Sequence, residues 1–400
     1  MDARPEAGVS RVKGDEQLNS QGPTKNDLSP LVETYSQFPL DIVSGRGSRL
    51  FARDGRAYWD FYGGHAVALL GHSHPAIVEA VARQAAQLTF YSNILPLKVR
   101  TEAAGRLASF APPGLRRIFF CNTGAEANEN ALKIAMRRTG RRRIAALYGG
   151  WHGRSLMCLA ATDDPKITTP FQPLLCECVR MRANAIEDVA KIDDTIAAVI
   201  LEPIQSIAGV VELRGDFLQT VRERCRQCGT LLIYDEVQTG MGRLGRPMAA
   251  GAFGVTPDMA TLAKGIAGGI PMAAVLLSDE PAAGIKQGEL GTTFGGGPVA
   301  CAALLAVLQT IENENLLAHA AELGALMKQA LCIGPVEEVR GRGCLIGLKT
   351  RTPAKAIQEK LLAEGFIVGT SADAQVLRLM PPINTPPEAV TMLAGVLEKM

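Results

Sequence analysis

Four hundred residues, 47% hydrophobic and 20% charged, make an ordinary globular composition with room for about two domains. A formal net charge of +2 gives no electrostatic pull toward nucleic acid or an anionic membrane surface, and no stretch reaches the roughly 18 apolar residues of a membrane span. No apolar core follows the charges of the N-terminus, so no secretory signal is expected. Nine cysteines, an odd and unpatterned set, fit reduced thiols and a cytoplasmic location.

In chain order, residues 1–28 are polar and aperiodic and read as a disordered tail, with order starting near Leu31. Ser48 to Asp60 reads as a hairpin with Asp54-Gly55 at its turn. His74-Pro75 opens a helix that runs through Leu88. Strands and helices then alternate: a strand from Arg117 to Cys121, a helix from Ala125 to Arg138 and a strand from Arg142 to Tyr148. After them come a strand from Ala197 to Leu201, a helix from Phe217 to Gln227, and strands from Leu231 to Tyr234 and Met272 to Leu277. Several of these strands are apolar without alternation, which predicts an α/β fold with a mostly parallel sheet covered on both sides. From about Gly297 the pattern becomes long helix, short strands, helix. The expected division is a tail (1–28), an N-terminal segment joining the small domain (29–68), a large domain (69–297) and a smaller α+β domain (298–400). The basic run Arg137, Arg138, Arg141, Arg142 and Arg143 reads as a solvated helix end. Cys225 and Cys228 form a C-x-x-C without a partner pair, and Cys176 and Cys178 a C-x-C. They read as thiols of ordinary elements, and no metal is expected.

Three features carry chemistry. Asp235 ends the apolar run Leu231-Leu232-Ile233-Tyr234, and the carboxyl end of a buried parallel strand is where ligands bind in open α/β sheets. Lys264 is framed by Ala263, Gly265, Gly268 and Gly269, and small neighbours let a lysine be partly desolvated and so made nucleophilic. At Asn122-Thr123-Gly124-Ala125 a strand passes through a glycine into a helix whose first amides suit a phosphate. Each feature alone is weak, since most lysines near glycines lie in solvated loops and most strand-to-helix glycines only turn the chain. Together they supply an amine, an anion and a phosphate seat on one sheet, the set that pyridoxal 5′-phosphate needs.

Motifs in order along the chain extend this reading: Leu70-Gly71-His72-Ser73-His74-Pro75, Asn122-Thr123-Gly124-Ala125-Glu126-Ala127-Asn128, Trp151-His152-Gly153-Arg154, Glu202-Pro203-Ile204-Gln205, Asp235-Glu236-Val237-Gln238-Thr239-Gly240, Ala263-Lys264-Gly265 and Thr292-Thr293-Phe294-Gly295-Gly296. With them the chain, from about Tyr35 to about Pro382, resembles the class III aminotransferases of the acetylornithine/ornithine aminotransferase group. The resemblance implies a fold type I pyridoxal-phosphate enzyme with a seven-stranded type of central sheet. By the same resemblance Lys264 is the Schiff-base lysine and proton shuttle, and Asp235 pairs with the pyridine nitrogen. Val237 and Trp151 would take the two ring faces, Gln238 the ring hydroxyl, and the amides of Gly124 and Ala125 the phosphate. Thr293 would reach the phosphate of the neighbouring subunit, making a homodimer with shared sites. The substrate set would be Tyr35, His65, Arg154, Thr292 and Arg378, with Arg154 and Arg378 as carboxylate arginines. His72 and His74 read as helix-entry structure, Tyr91, Ser92 and Asn93 as entrance lining or packing, and Glu202 as support.

Three departures bear on substrate choice. Relatives place a glutamate where Ile207 stands, and that acid masks the arginine matching Arg378 while an ω-amine binds. His65 replaces a Tyr or Ile, and Gly297 replaces an Asn. The leading expectation is transfer of an amino group from an amino acid or ω-amine to a keto acid such as 2-oxoglutarate. Another reaction of the same cofactor, by an aminomutase or phospho-amine lyase, is the alternative. A cofactor-binding scaffold without turnover is a third reading, disfavoured because it needs none of Lys264, Asp235, Arg154 and Thr293.

Overall fold

Two apolar strands set the architecture. Ile196–Leu201 (β7) and Leu231–Asp235 (β10) are buried at every residue and pair in parallel, Leu232 opposite Val199. Alternate side chains of a strand face opposite sides, so a strand buried throughout demands cover on both. The computed structural model, which describes residues 30–400, provides it. Ala198, Ile200 and Ile233 pack against Ala131, Ile134 and Ala135 of the helix Gly124–Thr139. Val199, Leu201, Leu232 and Tyr234 join the opposite core with Phe217 and Val221 of the helix Gly215–Cys228 and Leu107 of the helix Lys98–Phe110. Each of the larger ones, the valines, leucines, isoleucines and phenylalanine, contributes about 1.5–3 kcal/mol on burial. The expected tail, residues 1–28, lies outside the described residues.

The seven-stranded sheet also contains Arg117–Cys121 (β4), Arg143–Leu147 (β5), Cys178–Met181 (β6), Met259–Leu262 (β11) and Ala273–Leu277 (β12). Its order is β4-β12-β11-β10-β7-β5-β6, and β12 alone runs antiparallel to its neighbours β11 and β4. The strand β11, absent from the sequence-based expectation, is four residues long with polar Thr261 inside it. Pairing on both sides, with β10 and β12, makes it a strand.

The expected hairpin is present as Arg49–Ala52 (β2) and Ala57–Asp60 (β3). Its turn uses Gly55 at φ 86 and the Asp54 carboxylate, which accepts from the Arg56 amide at 3.0 Å. Ile42–Arg46 (β1) extends it, and β3 pairs in parallel with the late strand Phe366–Ile367 (β15). Ile204–Gln205 (β8) pairs antiparallel with Val211–Glu212 (β9), and near the C-terminus Val336–Arg342 (β13), Leu345–Thr350 (β14), Gly369–Thr370 (β16) and Val376–Leu379 (β17) form another four-stranded sheet in the order β13-β14-β17-β16. Among the described residues no helix is long and apolar enough to cross a membrane.

Candidate active site

The site is built where β10 and β11 end and the helix Gly124–Thr139 begins. That helix starts with reciprocal capping: Thr123 Oγ1 accepts from the Glu126 amide at 3.1 Å, and Glu126 returns a carboxylate to the Asn122 amide at 2.8 Å. The cap leaves the amides of Gly124 and Ala125 free of intrahelical acceptors. A side chain at Gly124 would place its Cβ 3.0 and 3.1 Å from the two methyls of Val237, so the glycine lets the helix tip approach the end of β10.

Asp235 closes β10 and is 4% exposed. Its Oδ2 accepts from Asn128 Nδ2 at 2.7 Å and lies 2.8 Å from His152 Nδ1, while Oδ1 accepts from the Val237 amide at 3.1 Å. Asn128 is held in turn by Thr261, whose hydroxyl donates to its Oδ1 at 2.6 Å. Lys264 follows β11 with φ 50, a left-handed conformation costing a non-glycine residue about 1–2 kcal/mol. Burial pushes its amine down to about 8, against the pull of Asp235 and Glu202. Glu202 is itself pushed up to about 7, chiefly by burial, and accepts from the Trp151 amide at 2.9 Å.

One cavity of about 350 Å³ collects these groups. Its wall includes Gly124, Ala125, Trp151, Asp235, Val237, Gln238 and Lys264. Gln238 Oε1 is buried there without a hydrogen-bond partner, a vacancy suited to a polar ligand atom. A buried carboxylate, a basic amine, an unsatisfied amide oxygen and free helix amides fit pyridoxal phosphate in size and donor chemistry.

At the cavity mouth Arg154 Nη1 donates to Tyr35 Oη at 3.3 Å, and the guanidinium stacks 4.9 Å above the Trp151 ring. Arg378, in β17, is 5% exposed. Its Nε donates to the Thr370 carbonyl at 2.6 Å and its Nη1 to Ser206 Oγ at 3.1 Å. Among the described residues no carboxylate lies within ion-pair distance of it. Ile207 offers only its carbonyl, which accepts from the Ala372 amide at 2.8 Å.

His65 sits on a turn in which Gly63, Gly64, His65 and Ala66 all have left-handed φ, from 53° to 70°. Two of them carry side chains, so the turn is strained and needs outside support. Asp60 Oδ1 accepts the amides of Tyr62 and Gly63 at 2.9 and 2.8 Å, and the fully buried Arg243 donates to the Ala66 carbonyl at 3.2 Å. His72 and His74 serve the scaffold: His72 Nε2 is 2.8 Å from Asp60 Oδ2, and His74 Nε2 is 3.4 Å from Glu314.

Not every expected residue joins this wall. Thr292 accepts from Asn122 Nδ2 at 2.9 Å at the rim, and Thr293 is exposed, outside this chain's own cavity. Conversely Asn128, His152, Thr261 and Tyr62 were given no role from sequence. Asn128 and His152 stand inside quoted motifs, but they lie 107 and 83 residues from Asp235 and only the fold brings them to it.

The sheet order and the cavity's chemistry are those of a fold type I, pyridoxal-phosphate-dependent aminotransferase. The family model for class-III aminotransferases matches residues 32–400, and the chain belongs to that family. It is 43% identical to the acetylornithine aminotransferase of Methanopyrus kandleri over 356 residues, 88% of this chain and 92% of the relative. With the acetylornithine aminotransferase of Methanocaldococcus jannaschii it shares 38% identity, covering 92% of this chain and 95% of the relative. Among solved structures it superposes on the ornithine aminotransferase of Toxoplasma gondii ME49 with a TM-score of 0.87 at 29% identity, covering 92% of each chain. A PLP-bound amine transaminase from an uncultivated Pseudomonas species gives 0.85 at 28% identity, covering 94% of this chain and 98% of that one.

Proposed function

We propose that this aminotransferase moves an amino group from an acetylornithine- or ornithine-like donor to a keto acid such as 2-oxoglutarate, with Lys264 and Asp235 as its catalytic residues. The observation that carries the reading is the convergence of Lys264, Asp235 and the free amides of Gly124 and Ala125 on one cavity. When bound, the cofactor supplies an electron sink for the charge that develops at the amine-bearing carbon.

The residues divide the remaining work. Lys264 would hold the cofactor through its Nζ, and the same nitrogen would carry the proton that leaves the amine-bearing carbon of the substrate, a task suited to an amine lowered to about 8. Asp235 presents a fixed negative charge to the pyridine nitrogen, and Asn128 and His152 orient that carboxylate. The amides of Gly124 and Ala125 take the phosphate. Trp151 and Val237 confine the ring, and Gln238 meets its hydroxyl with the unsatisfied Oε1. Tyr35, His65, Arg154, Thr292 and Arg378 form the substrate set, with the two arginines for carboxylates. Holoenzyme mixed with a panel of amines should lose its cofactor absorbance with an ornithine-like donor. Regeneration should then require a stoichiometric keto acid. Repeated turnover, beyond one product per site, with no acceptor would overturn aminotransfer in favour of a mutase or lyase.

We further infer a homodimer with shared sites and a cytoplasmic location. All nine cysteines are free, which supports a reducing compartment. Tyr91, Ile94, Leu95 and Phe294 are exposed apolar side chains at 44%, 84%, 44% and 64%, and such a patch calls for cover. Phe294 stacks 5.1 Å from Phe90, and Asn93 donates to the Gly295 carbonyl at 3.1 Å, so the patch adjoins Thr293. If Thr293 serves the partner's phosphate, exchanging subunits of Thr293→Ala with those of Lys264→Ala leaves one heterodimer site with both defects and one with neither. Activity should return on mixing to about a quarter of wild type, the share expected from random pairing with one intact site per heterodimer. Exchanged subunits that stay dead would refute the cross-subunit role.

A further inference from the structure

Arg378 is a nearly buried cation without a carboxylate, and buried charges are ordinarily paired or fully hydrogen-bonded. Thr370 and Ser206 accept from its Nε and Nη1. The next group beside it is Tyr62, whose ring centroid lies 5.9 Å from the guanidinium carbon. That ring is pressed on β16: a Cβ added to Gly369 would come within 2.3 Å of it. Its hydroxyl is 2.6 Å from His65 Nδ1, on the left-handed turn.

The protonation pattern gives this arrangement a direction. Burial raises the Tyr62 phenol, with Arg378 pulling the other way. Burial, then Arg378, Lys264 and Arg154, lowers the His65 imidazole. Both side chains are neutral near pH 7. A neutral phenol has one proton, and donating it to Nδ1 leaves the oxygen lone pairs for the guanidinium.

We propose that Tyr62 is a specificity-determining residue: steadied by His65, its hydroxyl oxygen is an uncharged placeholder beside Arg378 and yields that position to the carboxylate of a keto-dicarboxylate substrate. The proposal rests on the reading of Arg378 as a carboxylate site. A carboxylate outcompetes a phenol because a two-point contact between opposite charges is stronger than a one-point contact of guanidinium with an uncharged oxygen. It displaces no internal anion, since the side chain of Ile207 carries none.

The test uses holoenzyme and glutarate, an unreactive five-carbon dicarboxylate, with binding followed by titration calorimetry. Phenylalanine keeps the ring packed on Gly369, so Tyr62→Phe removes the hydroxyl alone. It should bind glutarate about three- to tenfold tighter, the net scale of one intramolecular hydrogen bond. In an Arg378→Lys background the same substitution should change affinity less than twofold, a dependence that a merely structural tyrosine would not produce. Unchanged or weaker binding by Tyr62→Phe, with Arg378→Lys still weakening it, overturns the placeholder alone. Full glutarate affinity in Arg378→Lys overturns the carboxylate site and the placeholder with it.

Discussion

Lys264→Ala is expected to lower turnover by about 10⁴-fold or more, because one residue supplies both the covalent anchor and the proton transfer. The fold should survive. The side chain is an amine held out of water, with its pKa at about 8 instead of the ordinary 10.5. Between those two values the unfolded chain holds the proton and the folded chain sheds it. The apo protein is therefore less stable at the lower end of that window than above it, and the alanine variant should lose that pH dependence. Thermal melts of apo wild type and variant from pH 7 to 11 would show it. In the wild type the rate of cofactor attachment should rise with pH, reach its half-maximum near 8 and level off above it, as the neutral amine becomes the main form. Borohydride reduction followed by peptide mapping should place the cofactor on Lys264. A label on another lysine, or appreciable turnover by the alanine variant, would end the assignment.

Asp235→Asn is expected to cost about 10²-fold or more in turnover, the scale of removing a preorganised charge from a dry site. The substitution preserves volume but not hydrogen bonding. Three donors converge on the carboxylate, from Asn128 and His152 at Oδ2 and from the Val237 amide at Oδ1. An amide has one accepting atom, so its NH₂ must face at least one of those donors. The variant should therefore lose cofactor affinity as well as turnover, with both read from reconstitution titrations and steady-state rates. Near-normal rates with saturating cofactor would show that the ring nitrogen is stabilised by another group.

Local chemistry made much of this protein readable from its sequence. The strand from Arg117 to Cys121 is present with those ends, because an apolar run stopped by a turn needs no distant partner to announce itself. The Asp54-Gly55 turn is equally local, whereas the reciprocal Thr123–Glu126 cap and the glycines at 140 and 229 that end two helices came to light only in the structure. The family, too, was legible, because its motifs are short runs whose order along the chain is itself a signal. Tertiary structure decided what depends on separation in sequence. The antiparallel run of β12 and the existence of β11 follow from pairing with neighbours. Asn128 and His152 reach Asp235 only because a helix start and two strand ends meet at the carboxyl ends of the sheet's strands. Tyr62, His65, Ser206 and Arg378 come from three separated stretches of chain, and the left-handed turn that presents His65 is supported by Arg243 from a fourth. No periodicity encodes such a meeting, because the energy that enforces it lies in contacts that exist only once the two four-stranded sheets have packed beside the large one.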